Sequence, residues 1–332
     1  MQTGSLLVSM LLVVAGGVLA GIFAFPMKRL NEWNWENIWF AYSCFGFLLI
    51  PFLVVRSTVP HLGEVYRGVP LVSMIEVIAG GYAWGWGSAL FGVGIKRLGM
   101  GLGFTLILGI TTVLGALAPF LLMSTASLHM PWLIAGLLLL TCGLALCGRA
   151  GSLRQGEAQA SSSSGSYAIG LVLCIVSGCL SAAFNYGAAA AAPIQYGAVL
   201  QGAAGWAAAN AFWPVMLLGG FLGNATYCCI LFVRNRSFSK FWSTGVRGWG
   251  ICFVMGAVWI SGVLLYGLGS FRMGPLGTVL GWPFFTALMV LSAYGLGLIT
   301  GEWRGASLRS RVWMNAGVFV ITAALFLVAQ GH

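Results

Sequence analysis

From Arg247 to Leu268 the chain reads RGWGICFVMGAVWISGVLLYGL, 22 residues whose only charge is the arginine at the first position. At 1.5 Å of rise per residue, an α-helix of that length spans about 33 Å. A bilayer core is crossed by about 20 mostly apolar residues. The stretch is apolar around its whole circumference, so it has no polar face to turn to water. It is predicted to cross a membrane.

Runs of the same kind fill the rest of the chain. Ten candidate helices lie near 5–26, 37–55, 71–91, 99–123, 131–148, 167–190, 206–233, 247–268, 275–299 and 313–330. Of the 332 residues, 59% are hydrophobic and 7% charged, against roughly a quarter charged in a soluble domain. That composition excludes a water-soluble globular fold and predicts an all-α integral membrane protein. No basic segment precedes the first apolar run, Met1 to Pro26, so it is expected to be a retained first helix rather than a cleaved signal peptide. Ala188 to Ala204, rich in Ala and Gly and interrupted by Pro193, reads as a helix end, a short re-entrant segment or a loop.

The cations orient the helices. The loops after the first, third, fifth, seventh and ninth candidates hold Lys28, Arg29, Lys96, Arg97, Arg149, Arg154, Arg234, Arg236, Lys240, Arg247, Arg304, Arg309 and Arg311. The other loops hold Arg56, Arg67 and Arg272. Thirteen against three puts the first set in the cytoplasm and both termini outside, in a multi-pass protein of the inner (plasma) membrane. The net charge of +10 is accounted for in this way, and nucleic acid is not an expected partner; the lipid bilayer is. Gly156 to Ser166, with its SSSSGS run, has the composition of a flexible linker. It divides the chain into a first half (1–150), a cytoplasmic linker (151–166) and a second half (167–332), each half holding five helices. An odd number per half inverts the second half relative to the first.

Two pairs of segments echo each other across that divide. Phe91-Gly-Val-Gly-Ile-Lys-Arg-Leu-Gly99 and Tyr266-Gly-Leu-Gly-Ser-Phe-Arg-Met-Gly274 share an aromatic-G-x-G-x-x-R-x-G pattern. Gly17-Val-Leu-Ala-Gly-Ile-Phe23 and Gly178-Cys-Leu-Ser-Ala-Ala-Phe184 occupy corresponding helices. A 5+5 inverted repeat is therefore expected, a plan that places a solute site near the midplane between halves. Glycines spaced as GxxxG (Gly17/Gly21, Gly81/Gly85, Gly99/Gly103, Gly219/Gly223, Gly277/Gly281, Gly297/Gly301) predict close helix packing.

The motifs of a membrane enzyme are missing. The sequence has no GxxxxGK[ST] and no HExxH. The eight cysteines lie in apolar runs without a CxxC pair, and His61, His129 and His332 are scattered. No catalytic constellation, metal site or cofactor is expected. Glu76 is the only acid inside an apolar run. A carboxylate there is costly and points to a proton carrier, unless nearness to the outer interface keeps it hydrated. Glu36, in Trp33-Asn-Trp-Glu-Asn-Ile-Trp39, is expected to complement a helix N-terminus. Ring faces suit the C–H faces of a sugar, and amides suit its hydroxyls. On that chemistry the candidate solute residues are Trp84, Trp86, Ser88, Asn185, Tyr186, Asn210, Trp213 and Trp282, with Gln195 nearby. Pro214 and Pro283 are expected to kink their helices and free carbonyls there.

The same sequence resembles the L-rhamnose/proton symporter family of the drug/metabolite transporter superfamily. The likeness runs through Pro26-Met-Lys-Arg29, Trp33-x-Trp-Glu-x-x-Trp39, Gly85-Trp-Gly-Ser88, Arg97-Leu-Gly-Met-Gly-Leu-Gly103, Gly109-Ile-Thr-Thr112, Arg149-Ala-Gly-Ser-Leu-Arg154 and Glu302-Trp303. It implies ten helices in a 5+5 inverted repeat and uptake of a deoxyhexose with a proton. The sequence departs from the family pattern at Ser270 to Thr278, in the Ala-rich segment holding Gln195 and Gln201, and at Glu76. Two alternatives stay open: an exporter or exchanger of another small metabolite, and a non-transporting assembly subunit.

Overall fold

A computed structural model describes residues 3–98, 100–117, 130–155, 164–274, 277–301 and 303–330, and every regular element among them is helical. The α-helices are α1 (Thr3–Ile22), α2 (Trp35–Ser43), α3 (Ile50–Thr58), α4 (Leu62–Gly68), α5 (Leu71–Leu98), α6 (Met100–Leu117) and α7 (Met130–Gln155). There follow α8 (Ser164–Ala190), α9 (Ala192–Leu200), α10 (Gly205–Ala208), α11 (Trp213–Asn235), α12 (Gly245–Arg272), α13 (Gly277–Ile299) and α14 (Leu308–Ala329). Among the described residues eight stretches are long and apolar enough to cross a membrane, the first Leu6–Arg29 and the last Leu308–Ala329. The expected spans near 71–91 and 99–123 overlap α5 and α6. Residues 156–163 of the linker, Gly99, His129, Glu302 and His332 lie outside the described residues.

The surface is apolar, unlike that of a soluble protein, and polar groups are buried within a mostly apolar interior. Leu11, Phe52, Leu71, Val233, Ile299 and Phe319 are exposed, whereas Ser9, Ser43, Ser177, Asn185 and Asn224 are buried. Where lipid replaces water, helices gain little by hiding leucines from it and associate instead by close packing and hydrogen bonds.

Glycine supplies the close packing. α5 runs between α8 and α11. A methyl group on Gly80 would lie 2.8 Å from the Ala183 carbonyl oxygen, and one on Gly223 would lie 2.6 Å from that of Tyr82. At Gly81 it would overlap the Met216 carbonyl, and at Gly85 the Gly220 carbonyl. α1 meets α12 in the same way, Gly16 facing the Gly262 carbonyl oxygen at 2.6 Å. α7 and α14 interlock through Gly136, Gly143 and Gly317. The Gly297/Gly301 pair is not a helix-packing strip, because α13 ends at Ile299 and Gly301 has a φ of +75°.

Prolines set several boundaries. Pro193 opens α9 after a one-residue break, so the Ala-rich stretch is a helix end followed by a short helix. Pro214 stands in the first turn of α11, where its missing N–H costs no hydrogen bond. It starts that helix rather than kinking it, and the expected helix from 206 is divided into α10 and α11. Pro283 does lie inside α13. α2 and α3 are joined by a π-helical turn, Cys44–Leu49, in which the Ile50 N–H reaches back five residues to the Phe45 carbonyl. Pro51 follows at once, and its ring would clash with the Phe47 carbonyl in an ordinary α-turn.

Gly81→Ala places one methyl group on the Met216 carbonyl, and overpacking of this kind costs about 1–3 kcal/mol. Its melting temperature in detergent is expected to fall clearly, while Gly63→Ala, at a glycine with nothing within 4 Å, keeps the parent value. Equal melting temperatures for both variants would contradict the packing described.

Candidate functional site

The site sits where α8 and α12 end and α11 and α13 begin. A cavity of about 390 Å³ opens there, lined by Gln195, Phe212, Trp213, Tyr266, Ser270 and Thr278 among others. Small-molecule sites typically occupy about 300–1,000 Å³. Its walls are aromatic and its polar groups few. Ser270 Oγ is buried and has no hydrogen-bond partner. Tyr266 and Ser270 are four residues apart on α12 and present one face to the cavity. Gly267 lies between them, and a methyl group on it would come within 2.9 Å of both Asn210 Oδ1 and Trp213 Nε1.

Beneath the cavity Asn185 ties four helices together. Its Nδ2 donates to the carbonyls of Gly115 on α6, at 2.6 Å, and Thr278 on α13, at 2.9 Å. Its Oδ1 accepts from the Tyr266 hydroxyl on α12. Trp282 Nε1 donates to the Thr111 carbonyl at 3.1 Å, and its ring lies over Gly115. Trp213 Nε1 donates to Asn210 Oδ1 at 2.9 Å, while Asn210 Nδ2 donates to the Trp206 carbonyl at 2.9 Å. These polar groups are therefore committed within the protein.

Aromatic rings lead from the cavity into the bundle. Trp213 and Trp282 stack on Phe184 with centroids 5.6 and 5.7 Å away. Phe184 meets Trp84 at 5.0 Å, and Trp84 stacks on Trp259 at 5.6 Å with 14° between planes. Of the eight residues expected to form one pocket, Trp84, Asn185, Asn210, Trp213 and Trp282 thus share one connected region. Trp86, two residues from Trp84 and so on another face of α5, meets Tyr227 at 6.5 Å. Ser88 is half-buried one turn beyond Trp84. Tyr186 points its hydroxyl at Glu76 Oε1, 3.5 Å away, so this acid and this tyrosine form a pair of their own.

At the opposite end of the bundle a second polar cluster joins α2 to the segment after α11. Glu36 is 3% exposed. Its Oε1 accepts from Ser237 Oγ at 2.6 Å, Asn235 Nδ2 at 2.9 Å and Asn34 Nδ2 at 3.1 Å. Asn37 Nδ2 donates to the Ser237 carbonyl at 2.9 Å, and Lys240 Nζ to Asn34 Oδ1 at 2.8 Å. Two of the three donors to the Glu36 oxygen, Asn235 and Ser237, come from about 200 residues away, and with them the carboxylate makes a clasp between distant segments. Sequence reasoning gave Glu36 only a place at a helix start, because spacing along the chain carries no sign of a partner that distant. It also missed Phe184, Tyr266, Ser270 and Trp259; the four-residue step from Tyr266 to Ser270 could have marked the last turns of α12.

Residues 2–332 match the family model described as L-rhamnose-proton symport protein. The L-rhamnose-proton symporter of Cronobacter sakazakii is similar, 27% identical over 329 residues and 95% of each chain. Those of Citrobacter koseri and Escherichia coli are 26% and 25% identical over the same share.

Asn185→Ala would strand the Tyr266 hydroxyl and remove both carbonyl contacts, whereas Tyr266→Phe removes a single hydrogen bond, about 1 kcal/mol. Thermal unfolding in detergent is expected to show a larger loss for Asn185→Ala than for Tyr266→Phe. Equal losses would mean that Asn185 is not the hub of the four helices.

Proposed function

The chain belongs to the L-rhamnose-proton symport protein family, and from that premise we propose that it is a secondary transporter that takes up L-rhamnose or a related sugar together with a proton. The observation that carries the proposal is the match over residues 2–332. The cavity adds physical support, since aromatic walls with a few hydroxyls suit a deoxyhexose, whose ring has apolar faces and polar edges.

The architecture proposed is ten spans in two inverted five-helix repeats, residues 1–150 and 167–332, joined by the cytoplasmic linker 151–166. Packing supports it. Exchanging the halves pairs α1 with α8, α5 with α12, α6 with α13 and α7 with α14. Under that exchange the contacts of α1 with α12 and α13 become those of α8 with α5 and α6, and the contact of α7 with α14 maps onto itself. The echoed glycines agree: Gly17 lies against Phe285 of α13, and Gly178 against Ile107 of α6.

The cation-rich loops assign the clasp end to the cytoplasm and both termini to the outside of the inner membrane. The conformation is then outward-facing, its cavity open beside Trp213 and its cytoplasmic end held by Glu36. Sugar enters against Trp213 and Tyr266. The clasp parts as the outer helix ends close, and the site is presented to the cytoplasm. Glu76, beside Tyr186, carries the proton. Exchange or export of another metabolite is a second reading, favoured by a cavity lining that contains no acid; counterflow with a panel of solutes separates the two.

In lightly buffered, de-energised cells making the protein, adding L-rhamnose is expected to raise external pH. Loss of that rise in Glu76→Gln, with the protein still in the membrane, supports coupling through this carboxylate. A surviving rise keeps symport and removes Glu76 as the carrier. No rise, with labelled L-rhamnose also excluded, overturns the substrate.

A further inference from the structure

Asn224 lies at the centre of α11, eleven residues from Trp213 at one end and eleven from Asn235 at the other. Each end is about 16 Å away along the helix axis. The side chain is 1% exposed, and neither Oδ1 nor Nδ2 has a hydrogen-bond partner. It does not bond back to its own helix, the usual refuge of a polar side chain inside a membrane. A buried polar group left unpaired keeps the whole cost of its desolvation, and an amide leaves both a donor and an acceptor unpaired.

Its surroundings connect it to the cavity. Trp213, Leu217, Gly220, Asn224 and Cys228 are all buried and recur at helical spacing, so they form one inward stripe. One turn from Asn224, Gly220 lies under Trp84, where a methyl group would come within 2.9 Å of the ring. Trp84 is also the inner end of the aromatic file that begins at Trp213, through Phe184, and it stacks on Trp259. Toward the clasp, the indole Nε1 of Trp39 is likewise buried without a partner. Unpaired polar atoms therefore occur at the cavity (Ser270), at mid-bundle (Asn224) and near the clasp (Trp39).

We propose that Asn224 is a solute-contacting residue at the midpoint of the transport path, its amide hydrogen-bonding hydroxyl groups of a small neutral polyhydroxylated solute as that solute passes the Trp84–Trp259 stack. An uncharged donor–acceptor pair beside flat aromatic faces suits hydroxyls on a ring. An ion would need a counter-charge, and an apolar solute would leave the amide unpaired. The side chain is packed over in the present conformation, so solute reaches it only when the helices part. The assignment deepens the transporter reading and rests on it.

Two variants of the full chain test it, with L-rhamnose as the probe. Asn224→Leu removes the amide while keeping the branching at Cγ and the number of side-chain heavy atoms. It is expected to melt at or above the parent temperature, because an unpaired polar group has gone, and to raise half-saturating L-rhamnose in proteoliposome counterflow by about tenfold or more. Asn224→Cys is expected to be modified at the introduced thiol by a small water-soluble reagent, located by peptide mass, and L-rhamnose should slow the modification. A wild-type half-saturation in Asn224→Leu overturns the proposal, as does an introduced thiol in Asn224→Cys that is never modified. If parent protein shows no L-rhamnose counterflow while Asn224→Cys is modified from water, the sugar assignment fails and the placement of residue 224 on the path stands.

Discussion

The structure depends on how closely α5 approaches its neighbours. Carbonyl oxygens of α8 and α11 occupy positions that a side chain on Gly80, Gly81 or Gly85 would need. In lipid, attraction between helices comes from contact rather than from escape from water, so the bundle holds only where backbones nearly touch. That contact brings Glu76 beside Tyr186, Trp84 beside Phe184 and Gly220 beneath Trp84. The aromatic file is a by-product of glycine, because only a strip without side chains lets rings from adjoining turns reach across.

Polar groups in this interior fall into two populations. Asn185, Asn210, Trp213 and Trp282 are fully engaged with the protein, and Asn185 alone links α6, α12 and α13 to its own helix. Ser270, Asn224 and Trp39 each keep polar atoms unpaired. Engaged groups fix the architecture, since breaking them strands partners with no water to replace them. Unpaired ones leave bonding capacity for something that is not part of the chain.

Much of this was legible in the sequence. Apolar runs give the helical class, and among the described residues eight stretches meet the description of a membrane span. Trp84, Asn185, Asn210, Trp213 and Trp282 were chosen for their chemistry and do fall in one region. Their roles were not legible, because whether an amide is free or engaged depends on carbonyls 70 to 93 residues away in the chain. Trp86 shares the ring chemistry of Trp84, yet two residues apart on a helix they face different neighbours. The clasp at Glu36 depends on a contact across about 200 positions. The π-turn had a local sign, Pro51, that a reading of helices by hydrophobicity passes over.

That π-turn has a bearing on which changes of length the chain tolerates. A π-turn holds one residue more than an α-turn, and each residue added to or removed from a helix rotates what lies beyond it by about 100°. Deleting a single residue between Cys44 and Leu49 would allow a plain α-helix to form. Because the turn already absorbs that extra residue, the flanking helices would stay in phase and Glu36 would keep facing Asn235 and Ser237, whereas deleting a residue of α2 after Glu36 would swing Glu36 through more than a quarter turn away from them. The clasp is thus indexed by the residue count of α2, while the π-turn beyond it marks a place in the same apolar stretch where one residue can be lost without unfastening it.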